Sequence, residues 1–473
     1  MTEQQLHDLG PALSDFLDDY LFCCSYTQSF AHLTTYVRGL LSDLSRKSVE
    51  PIDIQAGTPV RTLQEFLKDH LWDFCAVRTS LQQHTTELLP SLPNDPLGTV
   101  GLIDETSVAK QGTKTPGIQR QYLGCVGKVE NGIVTVHLGV CKGYYKTLID
   151  ADLFLPESWS NDRKRCREAG IPDEVVHRPK WQIALEQVDH ATANKIHLDW
   201  LTFDEAYGAS PGFIAGLDNR HLLFVGEVPR TFSCLAAHRS GRRPPEECKG
   251  RHAEDVVRTG SVFRSQPWQV MRLARKTLCD QVWRVKAARV WLSSSSGWSA
   301  GTYWLIWASN DETGEEKFFL SNAPANASLE VLVRVAFRRA NVEHGFRVCK
   351  SELGFGHFEG RNYVALMRHL NLCLVAMNFV AEHTERLRGE KSGDHDGAGM
   401  PGAARTEPVL APAATGNKRI GKRTAHHRVS PATQPHRADI ETEARAHRQE
   451  SEKTATPETE KTQEMYFPIG VAL

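Results

Sequence analysis

Paired cysteines are missing from this chain. Its eleven cysteines are scattered, from Cys23 and Cys24 to Cys373, with no C-x-x-C pair, so neither a zinc ribbon nor a disulfide framework is supported, and the odd count suits a reducing compartment. No apolar run approaches the roughly 20 residues of a membrane span, and the first residues carry acidic groups where a signal peptide is cationic and then apolar. The chain therefore reads as soluble, intracellular and without membrane contact. Net charge is also nearly absent, with 56 Lys and Arg against 57 Asp and Glu, which excludes a uniformly cationic protein. No internal repeat is found. A length of 473 residues implies roughly two to four domains.

The near-zero charge hides strong local asymmetry. Residues 1–95 read as a helical N-terminal domain, with helical apolar spacing in Leu33-Tyr36-Val37-Leu40-Leu41-Leu44 and in Leu63-Phe66-Leu67-Leu71-Phe74-Cys75. They hold six Lys/Arg against thirteen Asp/Glu, so this part is expected to bind DNA with one helix face, to self-associate or to pack on the next domain. Pro90, Pro93 and Pro96 mark a linker. From 98 to 228 apolar runs alternate with turns and two helical stretches, a pattern that predicts an α/β mixed sheet with flanking helices. A β-rich insertion is expected over 229–329. Its first part, 229–292, has fourteen Lys/Arg against five Asp/Glu, and tryptophans 268, 283, 291, 298, 304 and 307 are interleaved with cations that include Arg242, Arg243, Arg272, Arg275, Lys276, Arg284 and Lys286. Residues 330–387 return to helix periodicity. From 388 to 473 the composition turns to Gly, Pro, Ala, Thr, His and mixed charge, which predicts a mostly disordered tail. Its island Lys418–Arg423 suits either nucleic-acid contact or plain solubility.

Three acidic residues stand out. Asp104 closes the apolar run Val100-Gly101-Leu102-Ile103, and Asp204 closes Trp200-Leu201-Thr202-Phe203, so both read as strand ends, where ligands of such sheets gather. Glu343 lies on a helical face with Arg339, Arg347 and Lys350, all within an arc of about 80°. A carboxylate ringed by cations suits a group that holds a divalent metal beside a phosphate backbone. Cutting or transferring a DNA phosphodiester needs an activated oxygen nucleophile and neutralisation of the leaving oxygen, which two divalent ions about 4 Å apart supply. Two or three converging carboxylates suffice to hold hard Mg²⁺, with Mn²⁺ as a substitute. An isolated strand-end Asp is more often a turn former or a helix cap.

Competing acids are Glu105 and Glu205, which strand alternation turns to the other side, and Glu352 and Glu359. Glu352 lies nine residues from Glu343, about 180° round the helix, so the two cannot face the same metals. Lys350, Arg347 and Arg339 are read either as phosphate ligands and a brace for Glu343 or as partners in intrahelical ion pairs. Most of the insertion tryptophans are expected in a small core. Trp298, in the turn-like segment 293–299, is the exposed candidate for stacking on an unpaired base. Lys110 and Lys114 are candidate backbone contacts or solvated loop lysines.

At these residues the sequence resembles bacterial insertion-sequence transposases of the Asp-Asp-Glu type, whose catalytic core is ribonuclease-H-like. The resemblance covers about 30 to 385 and rests on Ile103-Asp104-Glu105-Thr106 with Lys110-Gln111-Gly112, on Leu201 to Gly208, and on Arg339 to Gly354. The last resembles a Tyr-x-x-Arg-x-x-x-Glu-x-x-x-x-x-x-Lys signature through Arg339, Glu343 and Lys350, although Ala336 takes the tyrosine position and Ala340 that of a usual tryptophan. The β-rich insertion is similar to that of the cut-and-paste subgroup that works through DNA hairpins. The resemblance implies a bacterial cytoplasmic enzyme, associated with the nucleoid when active. Its partners would be double-stranded DNA, as element terminal repeats and target, and a second copy in a homodimer, with water and then a freed 3′-hydroxyl as nucleophiles. Two alternatives remain open: a ribonuclease-H-like nuclease without strand transfer, and a catalytically inactive DNA-binding protein derived from a transposase.

Overall fold

The computed structural model describes residues 3–238, 242–273, 281–294 and 297–393, and side chains between 9 and 384 within those limits. Arg275, Lys276 and the expected disordered tail beyond 393, with Lys418–Arg423, lie outside the described residues.

The first sheet has five strands among the described residues: β1 (Val100–Ala109), β2 (Gln119–Leu123), β3 (Lys128–Lys142), β4 (Tyr145–Leu153) and β5 (Trp200–Thr202). β3 lies antiparallel to β1, β2 and β4, and β5 joins β1 in parallel, with Leu201 bridging onward to Phe224. Continuous apolar runs in β1 and β3, instead of strict alternation, are what a sheet covered on both faces requires. Adjacent residues serve opposite cores. Leu102 packs with the N-terminal helices and the last helix, whereas Ile103 packs with helices Lys180–Ala193 and Pro211–Asn219.

β1 does not end at Asp104. Its ladder with β3 runs on through Asp104↔His137 to Ala109↔Gly132, so the first carboxylate sits mid-strand. The expectation of a strand end came from the end of the apolar run. The structure continues because Glu105–Ala109 still satisfy their backbone groups against β3.

The insertion forms a second sheet with β6 (Val225–Glu227), β7 (Ser233–Ala236), β8 (Arg251–His252), β9 (Gln269–Leu273), β10 (Gln281–Ser294), β11 (Gly297–Trp298), β12 (Tyr303–Ser309) and β13 (Glu316–Ser321). All its pairings are antiparallel, and β10 is the strand on which β7, β9, β11 and β12 assemble. Helices Ala253–Thr259 and Ser261–Arg264, which apolar spacing did not reveal, fold over it with Phe263 buried.

Helices Thr27–Leu41, Thr62–Lys68 and Phe74–Leu88 pack on the last helix, Tyr363–Gly393. That helix extends past the boundary at 387 drawn from composition. Its segment Tyr363–Thr384 is long and apolar enough to cross a membrane, with mean hydropathy 1.5, which corrects the expectation that no run approaches that length. Within that segment 83% of the apolar window is buried inside the protein, so it serves here as the central core helix.

Candidate active site

The register of β1 and β5 brings the first two carboxylates together. Leu102 lies beside Thr202; Asp104 follows two residues further along β1, and Asp204 follows two residues after Thr202, just past the end of β5. Asp204 caps the short helix Glu205–Gly208, its Oδ1 accepting from the amides of Ala206 (3.0 Å) and Tyr207 (3.2 Å). That helix is seated tightly on β6, because a Cβ at Gly208 would stand 1.9 Å from the Glu227 carbonyl oxygen.

Asp104 is buried, and its Oδ1 accepts from the Glu105 amide at 2.7 Å. Burial and, next, the charge of Asp204 push its carboxyl up to about 7, against the opposing pull of Arg339. A carboxyl raised by burial and by a second carboxylate is a pattern found at functional sites.

Glu343 reaches the same place from helix Ala340–Ser351. Arg339, the residue just before that helix, donates from Nη1 to Asp104 Oδ2 (3.0 Å) and from Nη2 to Glu343 Oε1 (3.1 Å). One guanidinium thus bridges the mid-strand carboxylate and the helical one, and the nearby carboxylates, Asp104 first, raise its pKa against the effect of its burial. Among the described residues no three His, Cys, Asp or Glu side chains stand close enough to hold a metal ion, and Arg339 lies between two of the three carboxylates. The donor set nevertheless fits a hard divalent cation, since it consists of carboxylate oxygens.

The other candidates are placed as follows. Lys350 donates from Nζ to the Ser107 carbonyl (3.0 Å), tying the Glu343 helix to β1. Arg347 is exposed and donates to His344 Nδ1 at 2.8 Å. Lys110 is neither a solvated lysine nor a free backbone contact. Its Nζ donates to the carbonyls of Gly356 (2.9 Å) and Phe358, and burial, with Arg46 nearby, lowers its pKa to about 8. Trp298 is not exposed, since it pairs with Ser293 in a hairpin closed by the Ser299 amide donating to the Leu292 carbonyl (2.9 Å), the indole Nε1 donates to Pro245 O (3.0 Å), and only 6% of the residue is accessible. Glu105 turns away from Asp104 and accepts from Lys180 Nζ at 2.7 Å. Glu359 is paired with Arg46, and Glu352 caps the far end of the Glu343 helix.

Two groups beside the carboxylates carried no signal in spacing. Tyr207 is buried, its hydroxyl has no hydrogen-bond partner among the described residues, and burial first, then Glu105, Asp104 and Asp204, hold its pKa well above the usual phenol value. His137, opposite Asp104 on β3, is buried and bonded to Thr135 Oγ1 at 2.8 Å. Strand pairing alone could have pointed to His137, and only after β1 and β3 were known to be neighbours.

Comparison with known proteins gives three results. A family profile described as DDE superfamily endonuclease matches residues 20–290, a segment that holds Asp104 and Asp204 and stops before Glu343. The chain is 30% identical over 219 residues to a probable transposase for insertion sequence element IS701 of Microchaete diplosiphon, covering 44% of this chain and 53% of that one. It thus spans about half the length of that relative. Among solved structures, a cryo-EM structure of piggyBac transposase in a synaptic complex with hairpin DNA covers 78% of this chain and 68% of its own, at 11% identity and a TM-score of 0.38.

Proposed function

The chain belongs to the DDE superfamily of endonucleases, and on that premise we propose that it is an insertion-sequence transposase that cuts and rejoins DNA at element ends. The observation that carries the site assignment is the bridging of Asp104 and Glu343 by Arg339, with Asp204, just past the end of the neighbouring strand, close enough for its charge to raise the Asp104 carboxyl. We assign Asp104, Asp204 and Glu343 as the carboxylates that hold Mg²⁺, and the five-stranded sheet as a ribonuclease-H-like core. Bound there, divalent cations neutralise charge on the leaving oxygen and make the attacking oxygen more acidic.

This chain's own groups do the rest. The cap on helix Glu205–Gly208 fixes the direction of the Asp204 carboxylate. The Asp104 carboxyl, raised to about 7, gives up its proton readily near neutral pH when a cation arrives. Arg339 keeps Asp104 and Glu343 within one guanidinium of each other. Arg347, exposed on the Glu343 helix, is the cation placed to meet a phosphate, and Lys350 holds that helix against β1. Water is the first nucleophile, and the freed 3′-hydroxyl is the second.

The test is cleavage of a labelled duplex carrying the element's own end, with Mg²⁺ or Mn²⁺, by wild type and by Asp104→Asn, Asp204→Asn and Glu343→Gln. Each variant is expected to lose about 10³-fold or more in nicking while still binding the end, the scale at which losing one member of a catalytic unit is felt. Nicking that survives Glu343→Gln would move the third ligand to Glu352. A strand-transfer assay with paired ends separates the transposase from a nuclease that only cuts, and sedimentation of the end complex tests the proposed homodimer.

A further inference from the structure

Away from the three carboxylates, the loop that follows β1 helps to line a cavity of 430 Å³ with helix Arg163–Glu168 and with Arg361. Its floor is organised before any ligand arrives. The Arg165 guanidinium lies 3.6 Å from the centroid of the Trp159 ring and donates from Nη2 to the Thr113 carbonyl at 2.8 Å. Trp159 is itself fixed, buried and donating from Nε1 to Ile118 O at 2.7 Å. The loop that presents Thr113 and Lys114 is held by the Asn131 amide, which donates to the carbonyls of Lys110 (3.0 Å) and Gly112 (2.7 Å). A guanidinium stacked on an indole and pinned by one donor keeps its remaining N–H groups in a set plane, the arrangement that binds two oxygens of one phosphate.

The charge of the cavity fits such a ligand. Lys114 and Arg361, both exposed, join Arg165, while Glu168 is the one carboxylate among the lining residues. Lys164, exposed on the same short helix, extends the positive surface past the rim. A line of cations that continues beyond a cavity suits a polyanion better than a small free ion, which a closed pocket would hold.

The geometry points to a phosphodiester-binding site for the DNA backbone at Lys114, Arg165 and Arg361, separate from the cutting centre. It rests on the reading of the protein as an enzyme acting on DNA. Ala109, the end of β1, lies ~17 Å of strand rise beyond Asp104, so the loop that follows meets DNA away from the scissile phosphate. Such a contact sets where along the duplex the carboxylates fall and carries no sequence information of its own.

The test uses the full chain and a duplex of random sequence three helical turns long, with binding followed by fluorescence anisotropy over a range of salt concentrations. Lys114→Ala and Arg361→Ala change exposed side chains, and Arg165→Lys keeps the charge while removing the planar fork. The slope of log affinity against log salt is expected to fall by about 0.9 for each phosphate contact removed, with unfolding temperatures unchanged for the two alanine variants. Arg165→Lys is expected to weaken binding and shift the position of cleavage on an end substrate, which loss of fold alone would not do. Unchanged slopes in both alanine variants, with wild type still binding and cutting DNA, would overturn this site and leave the catalytic reading intact. Failure of the wild type to bind duplex at all would overturn both. Inorganic phosphate that raises the unfolding temperature of the wild type and not of the variants, with DNA slopes unchanged, would reassign the cavity to a small phosphate ligand and overturn the DNA contact.

Discussion

Asp104 carries a carboxyl pushed up to about 7 by burial and by Asp204, so its ionised form costs stability in the metal-free protein at any pH above the ordinary carboxyl range. Asp104→Asn is therefore expected to unfold at a higher temperature than wild type in chelator at pH 8 while failing to nick DNA, a site where function is kept at the expense of stability. An unfolding temperature below wild type would show that the Arg339 contact outweighs the buried charge. Histidines act in the opposite direction. Burial lowers the pKa of His137 to about 3 and that of His369 to about 4, below the value of an unfolded histidine. Between pH 6.5 and about 4 the unfolded chain binds protons that the folded one refuses, so stability falls by about 1.4 kcal/mol per pH unit for each of them as pH drops. His137→Phe is expected to flatten the acid side of the stability profile, as read by urea unfolding at pH 6.5, 5.5 and 4.5. An unchanged slope would mean that His137 is solvated or protonated in the folded state.

Elements here are held by single side chains that span between them. Arg368 on the last helix donates to the carbonyls of Phe66, Leu67 (3.0 Å), His70 (2.8 Å) and Trp72, closing the end of helix Thr62–Lys68 and the turn after it. Tyr36 reaches the same helix, its hydroxyl paired with His369 Nδ1 at 2.8 Å. Replacing Arg368 by Met leaves several buried carbonyls without donors, and is expected to cost about 3 kcal/mol or more in denaturant unfolding. A loss under about 1 kcal/mol would show that water replaces the guanidinium without penalty. Gly208 is the matching case near the site. Gly208→Ala drives a methyl into the Glu227 carbonyl and is expected to move helix Glu205–Gly208, and Asp204 with it, lowering cleavage more than it lowers end binding. How much of these elements was legible varied. Helices Lys180–Ala193 and Pro211–Asn219 and the strands β10, β12 and β13 fall within a residue or two of the stretches 179–193, 210–219, 282–292, 302–308 and 317–320 that apolar spacing and turn residues mark out. The helices Ala253–Thr259 and Ser261–Arg264 were missed, because their seven and four residues are too short to show a period.

Across the whole molecule the acidic N-terminal helices and the last helix form one packed unit with a face of the five-stranded sheet. Removing residues 1–92 would uncover the apolar segment Tyr363–Thr384, whose apolar window is 83% buried with those residues in place. The shortened chain is expected to aggregate or to bind a dye specific for exposed apolar surface. A monomeric, dye-free product would show that the sheet alone covers the helix. The same packing explains why the composition of the N-terminal part spoke poorly of its place, since one helix face is acidic and solvated while the other fills the core.

What the residues alone determined was the chemistry available. The apolar runs ending at Asp104 and Asp204, and the cations around Glu343, named the three carboxylates, because hydrophobic periodicity and charge are local properties of a chain. Tertiary structure decided which groups meet. Arg339 bridges two carboxylates from segments more than two hundred residues apart. Trp298 is folded into a core, and Lys110 is used up as a strap. Burial and pairing depend on what lies opposite a side chain across a sheet or a helix interface, and no spacing along the chain encodes that neighbour.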